Sequence, residues 1–310
     1  MNILVTGATG FIGRYLVDEL IKNKYQVFAL VRKTSKVETL LDKGVNLVYG
    51  DITDEGSLKD IINCNIGAVF HLAAYVKDEE WKSLYYINVV GSENVCKLCL
   101  RLGAERLVYV SSVAVVSGNE QEVLSEDAPY CATNLYGASK IDAERRVIEY
   151  RQKGLRVAII RPPMVYGEGE PHALGKILFL LRHRLLPLMG EGKPRWHLGY
   201  VKHVAQGLML ALQKEEFLQG TFFVADEEIL TVKEVLTTLS RAIAAKDPYV
   251  LPAWASSMLV HSPIIGNKAK FFLKERIYDI SRIKSLGFTA QYHTKDALVA
   301  SARHWLENKA

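Results

Sequence analysis

Two polar side chains on one helical face, with a hydroxyl delivered from a nearby strand end, are enough for acid–base chemistry at an oxygen atom. The stretch "YGASKIDAERR" sets Tyr136 and Lys140 four residues apart at the start of a helical segment, so both lie on the same face. Upstream, "VYVSSV" reads as a strand ending in Ser111 and Ser112. A tyrosine, whose ordinary pKa is about 10, can exchange a proton with an oxygen at neutral pH only if its phenolate is stabilised. A lysine ammonium close by supplies that stabilisation, and a serine hydroxyl can orient the oxygen being protonated. A Tyr-x-x-x-Lys pair is common on helices. Its weight here comes from a second motif.

That motif is "TGATGFIG" near the N-terminus, with Gly7, Gly10 and Gly13 in G-x-x-G-x-x-G spacing. It joins a short apolar run, "NILV", to "FIGRYLVDELIKN", where Phe11, Ile12, Tyr15, Leu16 and Leu20 have helical spacing. A glycine turn between strand and helix lets the backbone approach a phosphate, and the helix N-terminus adds amide donors and partial positive charge. The alternative is a tight turn with no ligand. With a dinucleotide held here, hydride transfer at a carbon bearing oxygen explains why a Ser/Tyr/Lys set is needed, and the lysine can also hydrogen-bond the nicotinamide ribose. The second strand ends in "VFALVRKTSK", about 20 residues beyond Gly13, with Arg32 and Lys33 and no carboxylate. An acidic residue there would accept the 2′-hydroxyl of NAD, whereas arginine suits the 2′-phosphate of NADP. NADP is therefore the expected cofactor and NAD the less favoured one, against the plainer reading of two solvated charges. In "GDIT", Asp51 can reach an adenine edge or cap the following helix.

Strand-like and helix-like segments alternate up to "RVAIIRP", which predicts an α/β fold with a doubly wound parallel sheet of the Rossmann kind. Residues 1–162 would form the dinucleotide-binding domain. Residues 163–310, less regular and richer in glycine and proline at their start, would form a smaller C-terminal substrate lobe, some segments returning to the core. The 310 residues are 49% hydrophobic and 24% charged, an ordinary globular balance. The net charge of +5 is scattered, which argues against a nucleic-acid partner. No apolar run reaches a membrane span, the first strand leaves no room for a signal peptide, and a cytoplasmic location is expected. Four cysteines do not suggest a disulfide scaffold. Cys96 and Cys99 fall inside a helix without a second pair, as core thiols. His172, His197 and His203 follow no metal spacing and read as surface or pocket-lining residues, so no metal is expected.

Together, "TGATGFIG", "GDIT", "HLAA" at 71–74, Asn88 in "INVVGSENV", "SSVAVV", "YGASK", "RPPMVYG" and "DISRIKSLGF" resemble the extended short-chain dehydrogenases/reductases over nearly the whole chain. That family includes nucleotide-sugar epimerases and dehydratases, 3β-hydroxysteroid dehydrogenases and dihydroflavonol reductases. The resemblance implies that Gly7, Thr9, Gly10, Phe11, Ile12 and Gly13 surround the pyrophosphate and that Asp51 and Ile52 meet the adenine. It implies further that Leu72, Ala73 and Ala74 form the cofactor floor above Asn88, and that Pro162 approaches the nicotinamide carboxamide. Ser112, Tyr136 and Lys140 would be catalytic. A homodimer through the helices near 81–102 and 135–152 is implied in the same way.

Three functions are compatible with this reading. The first is a reductase or dehydrogenase that exchanges its cofactor and acts on a small, rather apolar carbonyl or alcohol. The second is a nucleotide-sugar epimerase or dehydratase that retains NAD. The third is a non-catalytic NADP-binding protein, disfavoured by the complete Ser/Tyr/Lys set. Sugar-nucleotide members usually carry an arginine that grips the diphosphate; here Trp196 falls at its position, with Arg195 beside it. The candidate substrate contacts are Tyr75, Val113, Pro163, Met164, His172, Arg195 and Trp254, the last four residues from Met258 in an apolar, aromatic stretch.

Overall fold

A computed structural model describes residues 1–262 and 266–308. In chain order the first half contains β1 (Asn2–Thr6), α1 (Phe11–Lys22), β2 (Gln26–Val31), α2 (Glu38–Asp42), β3 (Asn46–Tyr49), β4 (Ile66–His71), α3 (Trp81–Leu84), α4 (Gly91–Leu102), β5 (Arg106–Val110), β6 (Val123–Leu124) and α5 (Leu135–Gln152). The second half contains β7 (Val157–Arg161), β8 (Val165–Tyr166), α6 (Leu174–Arg182), β9 (Arg195–Trp196), β10 (Gly199–Tyr200), α7 (Val201–Gln213), β11 (Thr221–Phe223), β12 (Leu230–Thr231) and α8 (Val232–Ala242). It closes with α9 (Ala253–His261), α10 (Gly266–Leu273), β13 (Ile277–Tyr278), α11 (Ser281–Ser285) and α12 (Thr294–Glu307).

Seven strands form one parallel sheet in the order β11-β7-β5-β4-β1-β2-β3. Its central strands are apolar almost throughout because both faces are covered. Alternate residues feed opposite faces: Ile3, Val5, Phe70 and Val108 pack with Leu16, Leu20, Val204 and Leu208 of α1 and α7. Leu4, Val69 and Leu107 pack instead with Val95, Cys96, Ala143 and Val147 of α4 and α5. Cys96 and Cys99 belong to this second layer, and burial pushes both thiols well up, Cys96 to about 12.

The order reverses at β1, with β2 on one side and β4 on the other, so the ligand crevice of a doubly wound sheet opens at the carboxyl ends of β1 and β4. A third apolar cluster, around Leu178, Trp196, Leu236 and Leu298, builds the lobe beyond those strand ends. The lobe's α8 opens on a capping box, with the Thr231 hydroxyl and the Glu234 carboxylate each serving the other's backbone amide. Strand β11 lies beyond residue 163 yet completes the main sheet beside β7, and α7 covers the same face as α1. Residues 263–265, within the apolar stretch that contains Trp254, lie outside the described residues.

Candidate active site

The glycine turn follows β1. Gly7 has φ +74°, and a Cβ there would press on the Ala73 backbone nitrogen at 2.7 Å. A Cβ on Gly13 would land on the Gly7 carbonyl. Gly10 is the N-cap of α1 and offers no side chain to its first amides. The turn is thus a cradle that side chains would fill, at the positive end of a helix, which fits a pyrophosphate.

From it a groove of about 360 Å³ runs past Thr9, Asp51, Ile52, Leu72, Ala73, Ala74 and Tyr75. It continues into a second hollow, of about 470 Å³, that shares Arg32, Gly50 and Asp51 and adds Lys33 and Tyr49. Arg32 and Lys33 are exposed and pair with no carboxylate among the described residues. Asp51 does not cap the following helical turn. Its carboxylate accepts from the amide and hydroxyl of Thr53, and Asp54 caps the turn instead. Phe11 and Ile12 turn away from the groove: Phe11 packs edge-on against Tyr15, and both lean on the lobe core. Only their backbone could meet a ligand. Tyr75 lines the groove rather than the cavity beside Ser112 described below.

Register builds the support beneath this groove. Thr6 and His71 are direct partners across β1 and β4, and the Thr6 hydroxyl lies 2.7 Å from His71 Nδ1. Thr6 Oγ1 accepts the Ala73 amide, so its proton goes to His71. The other ring nitrogen then donates to Ser92 Oγ (3.0 Å), whose hydroxyl donates to the Asn88 carbonyl. Burial holds the His71 pKa down at about 3, so the ring is neutral. Asn88 sits on a π-helical turn, Tyr85–Val90, between α3 and α4. There its side chain clamps Tyr75 through both backbone groups and donates to Ser139 Oγ (2.9 Å). Ser139 in turn donates to the Tyr136 carbonyl.

At the start of α5, Asn134 caps the Gly137 amide and Asp78 accepts the Tyr136 amide at 2.9 Å. Tyr136 is half-buried, and loss of solvent pushes its phenol up to about 12, while a hydrogen bond with the Ser112 hydroxyl pulls it down. Lys140 is buried one turn on, donates to the Val110 carbonyl at 2.9 Å and lies 4.5 Å from the centre of the Tyr109 ring. Burial brings its pKa down to about 7, against the pull of Glu144. The Tyr136 phenol and the Ser112 hydroxyl thus pair just beyond β5, and the Lys140 amine reaches the last carbonyl of that strand.

Beside Ser112 lies a cavity of about 250 Å³, also lined by Val113, Pro163, Met164, Trp196 and Leu198. Ser111, one residue earlier, is buried on the other side of the strand end, as the period of two requires. Pro162 is buried and its carbonyl accepts the Val113 amide, which fixes the turn carrying Ser112. Of the other expected substrate contacts, His172 is exposed, its amide held by Glu170. Trp254 and Met258 are 69% and 68% exposed. Arg195 points outward to Glu122 and Glu275, because Trp196, its neighbour on β9, takes the inward face. His203, read as surface or pocket-lining, is fully buried against Asp226. His197 does line the cavity, with both ring nitrogens spent on the Asp226 carbonyl and the Tyr278 amide. Trp196, placed by the sequence at the arginine position but not among the substrate contacts, lines the cavity, and Phe271, Arg276 and Tyr278 are missed in the sequence altogether. The last three arrive from far along the chain through β13 and an isolated bridge between Arg276 and Trp196, and no local spacing announces them.

A phosphate cradle at a sheet's switch point, joined to a Ser/Tyr/Lys cluster, defines a dinucleotide-dependent enzyme of the short-chain type. The chain belongs to the NAD dependent epimerase/dehydratase family, whose model matches residues 3–225. A Synechocystis sp. protein named "Putative dihydroflavonol 4-reductase" is 32% identical, covering 98% of this chain and 94% of that one. A 2-alkyl-3-oxoalkanoate reductase of Stenotrophomonas maltophilia is 30% identical over 79% of this chain and 76% of its own. Among solved structures, the Thermus thermophilus UDP-glucose 4-epimerase in complex with NAD has a TM-score of 0.81 at 25% identity, covering 99% of both chains.

Proposed function

We propose that the chain is an NADP-dependent reductase/dehydrogenase that acts at a carbonyl or hydroxyl carbon of a small, rather apolar substrate. The observation that carries this reading is the convergence of Ser112, Tyr136 and Lys140 on the carboxyl end of β5, with Ser112 in the wall of the apolar cavity. When bound, the nicotinamide supplies hydride to the carbonyl carbon in reduction and accepts it in the reverse reaction. Tyr136, protonated at neutral pH, gives its proton to the carbonyl oxygen as the C=O π bond becomes a C–O–H group. The Lys140 ammonium stabilises the phenolate left behind, which recovers a proton from water. Ser112 donates to the same oxygen and fixes its distance from the phenol.

Arg32 and Lys33 support the choice of NADP, since the pair stands without counter-charge where a 2′-phosphate would lie. The names of the relatives, among them a 2-alkyl-3-oxoalkanoate reductase and a 3-beta-hydroxysteroid dehydrogenase, favour a consumable reductant. The second reading, an epimerase that retains NAD, draws on the likeness to the UDP-glucose 4-epimerase in complex with NAD.

The test is to denature the purified protein, identify any released dinucleotide by mass spectrometry, and titrate the emptied protein with NADPH and NADH. The expected result is an empty site with at least ~10-fold preference for NADPH, lost in the Arg32→Ser/Lys33→Ser variant, in line with about 1.5–3 kcal/mol for charge-assisted contacts. Stoichiometric, retained NAD would establish the second reading instead.

A further inference from the structure

We infer that the cavity beside Ser112 is built for a substrate bearing a carboxylate, and that Arg276 is the residue that receives it. The inference rests on the proposed reading of this cavity as the substrate site.

Backbone pairing puts Arg276 there. Its amide donates to the Arg195 carbonyl at 2.9 Å and its carbonyl accepts the His197 amide at 2.8 Å, which locks it beside Trp196. Its guanidinium lies 4.2 Å from the centre of the Phe271 ring, and both residues line the cavity. One terminal nitrogen, Nη1, donates to the carbonyls of Phe271 (2.8 Å) and Lys274 (3.1 Å). The other two nitrogens have no protein acceptor among the described residues, and no carboxylate pairs with the group.

Arg151 and Arg276 are both half-buried without a carboxylate partner among the described residues, but Arg151 spends its fork on the Val157 and Gly220 carbonyls, whereas Arg276 lines the cavity. Arg161 has Glu144, Arg195 has Glu122 and Glu275, and Arg282 has Asp127. Arg276 is half-buried with no counter-ion, an arrangement that is costly unless an anion arrives. Burial also lowers its pKa, and burial together with the Arg276 charge lowers that of Lys274. Lys274 donates to the carbonyl of Ser117, another lining residue, so a second positive charge stands at the cavity's edge.

The size and lining select the anion. At about 250 Å³ the cavity falls below the ~300–1,000 Å³ of common ligand sites, and Trp196, Leu198 and Phe271 make its walls apolar. That volume suits a small acid better than a nucleoside diphosphate. A small oxo acid or hydroxy acid fits, with its carboxylate held by the open fork of Arg276 and its reacting oxygen at Ser112 and Tyr136.

The test uses binding, so it does not depend on turnover. The protein saturated with NADP⁺ is titrated calorimetrically with hexanoate, hexanamide and UDP. The expected result is hexanoate binding at least ~10-fold more tightly than hexanamide. Arg276→Gln should bring the two affinities together and Arg276→Lys should keep part of the preference. Unchanged NADP⁺ affinity and melting temperature show that each variant is folded. Absent hexanoate binding, equal affinities in the wild type, a preference that survives in Arg276→Gln, or tighter binding of UDP each overturns the inference. If hexanoate binds through Arg276 but no carbonyl compound oxidises NADPH, the proposed reaction falls and the carboxylate subsite stands. If carbonyl compounds are reduced without regard to charge, the reverse holds.

Discussion

Tyr136 is the residue whose proton the proposed reaction spends. Its phenol is pushed up to about 12 by burial and pulled back only by Ser112, so it enters reduction protonated. Tyr136→Phe should lower kcat for carbonyl reduction by about 10²–10⁴. NADPH affinity, measured by fluorescence titration, should change far less. If the variant reduces substrates at the wild-type rate, Tyr136 is not the acid. At this scale the sequence was legible wherever chemistry is local. The glycine spacing, Arg32 and Lys33, and the Tyr136/Lys140 pair each sit within a few residues of one another. Arg195 was misjudged because a single step along a strand exchanges inward and outward faces, and Trp196 holds the inward one. Arg276 was invisible because only its bridge to Trp196, between two distant segments, brings it to the cavity.

Among the elements, α5 matters most because its first turn carries Tyr136, the proposed acid, and its second carries Lys140. Three separate segments hold that first turn: Asn134 caps it, Asp78 takes the Tyr136 amide, and Ser139 ties it to Asn88. Asn134→Ala should cost about 1 kcal/mol, read as a shift in the denaturant midpoint. It should also raise the KM of a reducible substrate, since the phenol loses its fixed place. A stability loss with no kinetic effect would show that the cap serves the fold alone. The alternation of strands and helices was readable from apolar runs and helical spacing. The π-helical turn that aims Asn88 was not, because an inserted residue in a helix leaves no mark in hydrophobic periodicity.

For the whole molecule, buried titratable groups set how stability follows pH. Lys140 has a pKa of about 7 when folded and about 10.4 when unfolded. Between these values the unfolded chain binds more protons, so this group's contribution rises with pH, by up to about 1.4 kcal/mol per unit. Tyr136 acts the other way, but only above about pH 10. His71, at about 3 folded and about 6.5 unfolded, removes stability as pH falls through that lower range. Lys140→Met should therefore flatten the rise in unfolding free energy between pH 7 and 10, measured by denaturant titration, and should weaken the acid limb only in part, because burial outweighs the Lys140 charge in holding the His71 pKa down. An unchanged slope would mean that Lys140 titrates as it does in solvent.

The position of β11 governs how this architecture can be taken apart. The chain leaves the sheet after β7, builds much of the lobe, and returns to add one more strand at that same edge. The early lobe segments are thus a graft held at both ends, not a tail. Variation between residues 163 and 220 can reshape the cavity while both anchoring strands stay in register. A chain cut after residue 162 would leave the backbone of β7 bare along a flat, apolar rim, ready to recruit strands from its neighbours. Cavity shape is set partly by this insert and partly by Phe271, Arg276 and Tyr278 from beyond β11, and neither part is removable as a module.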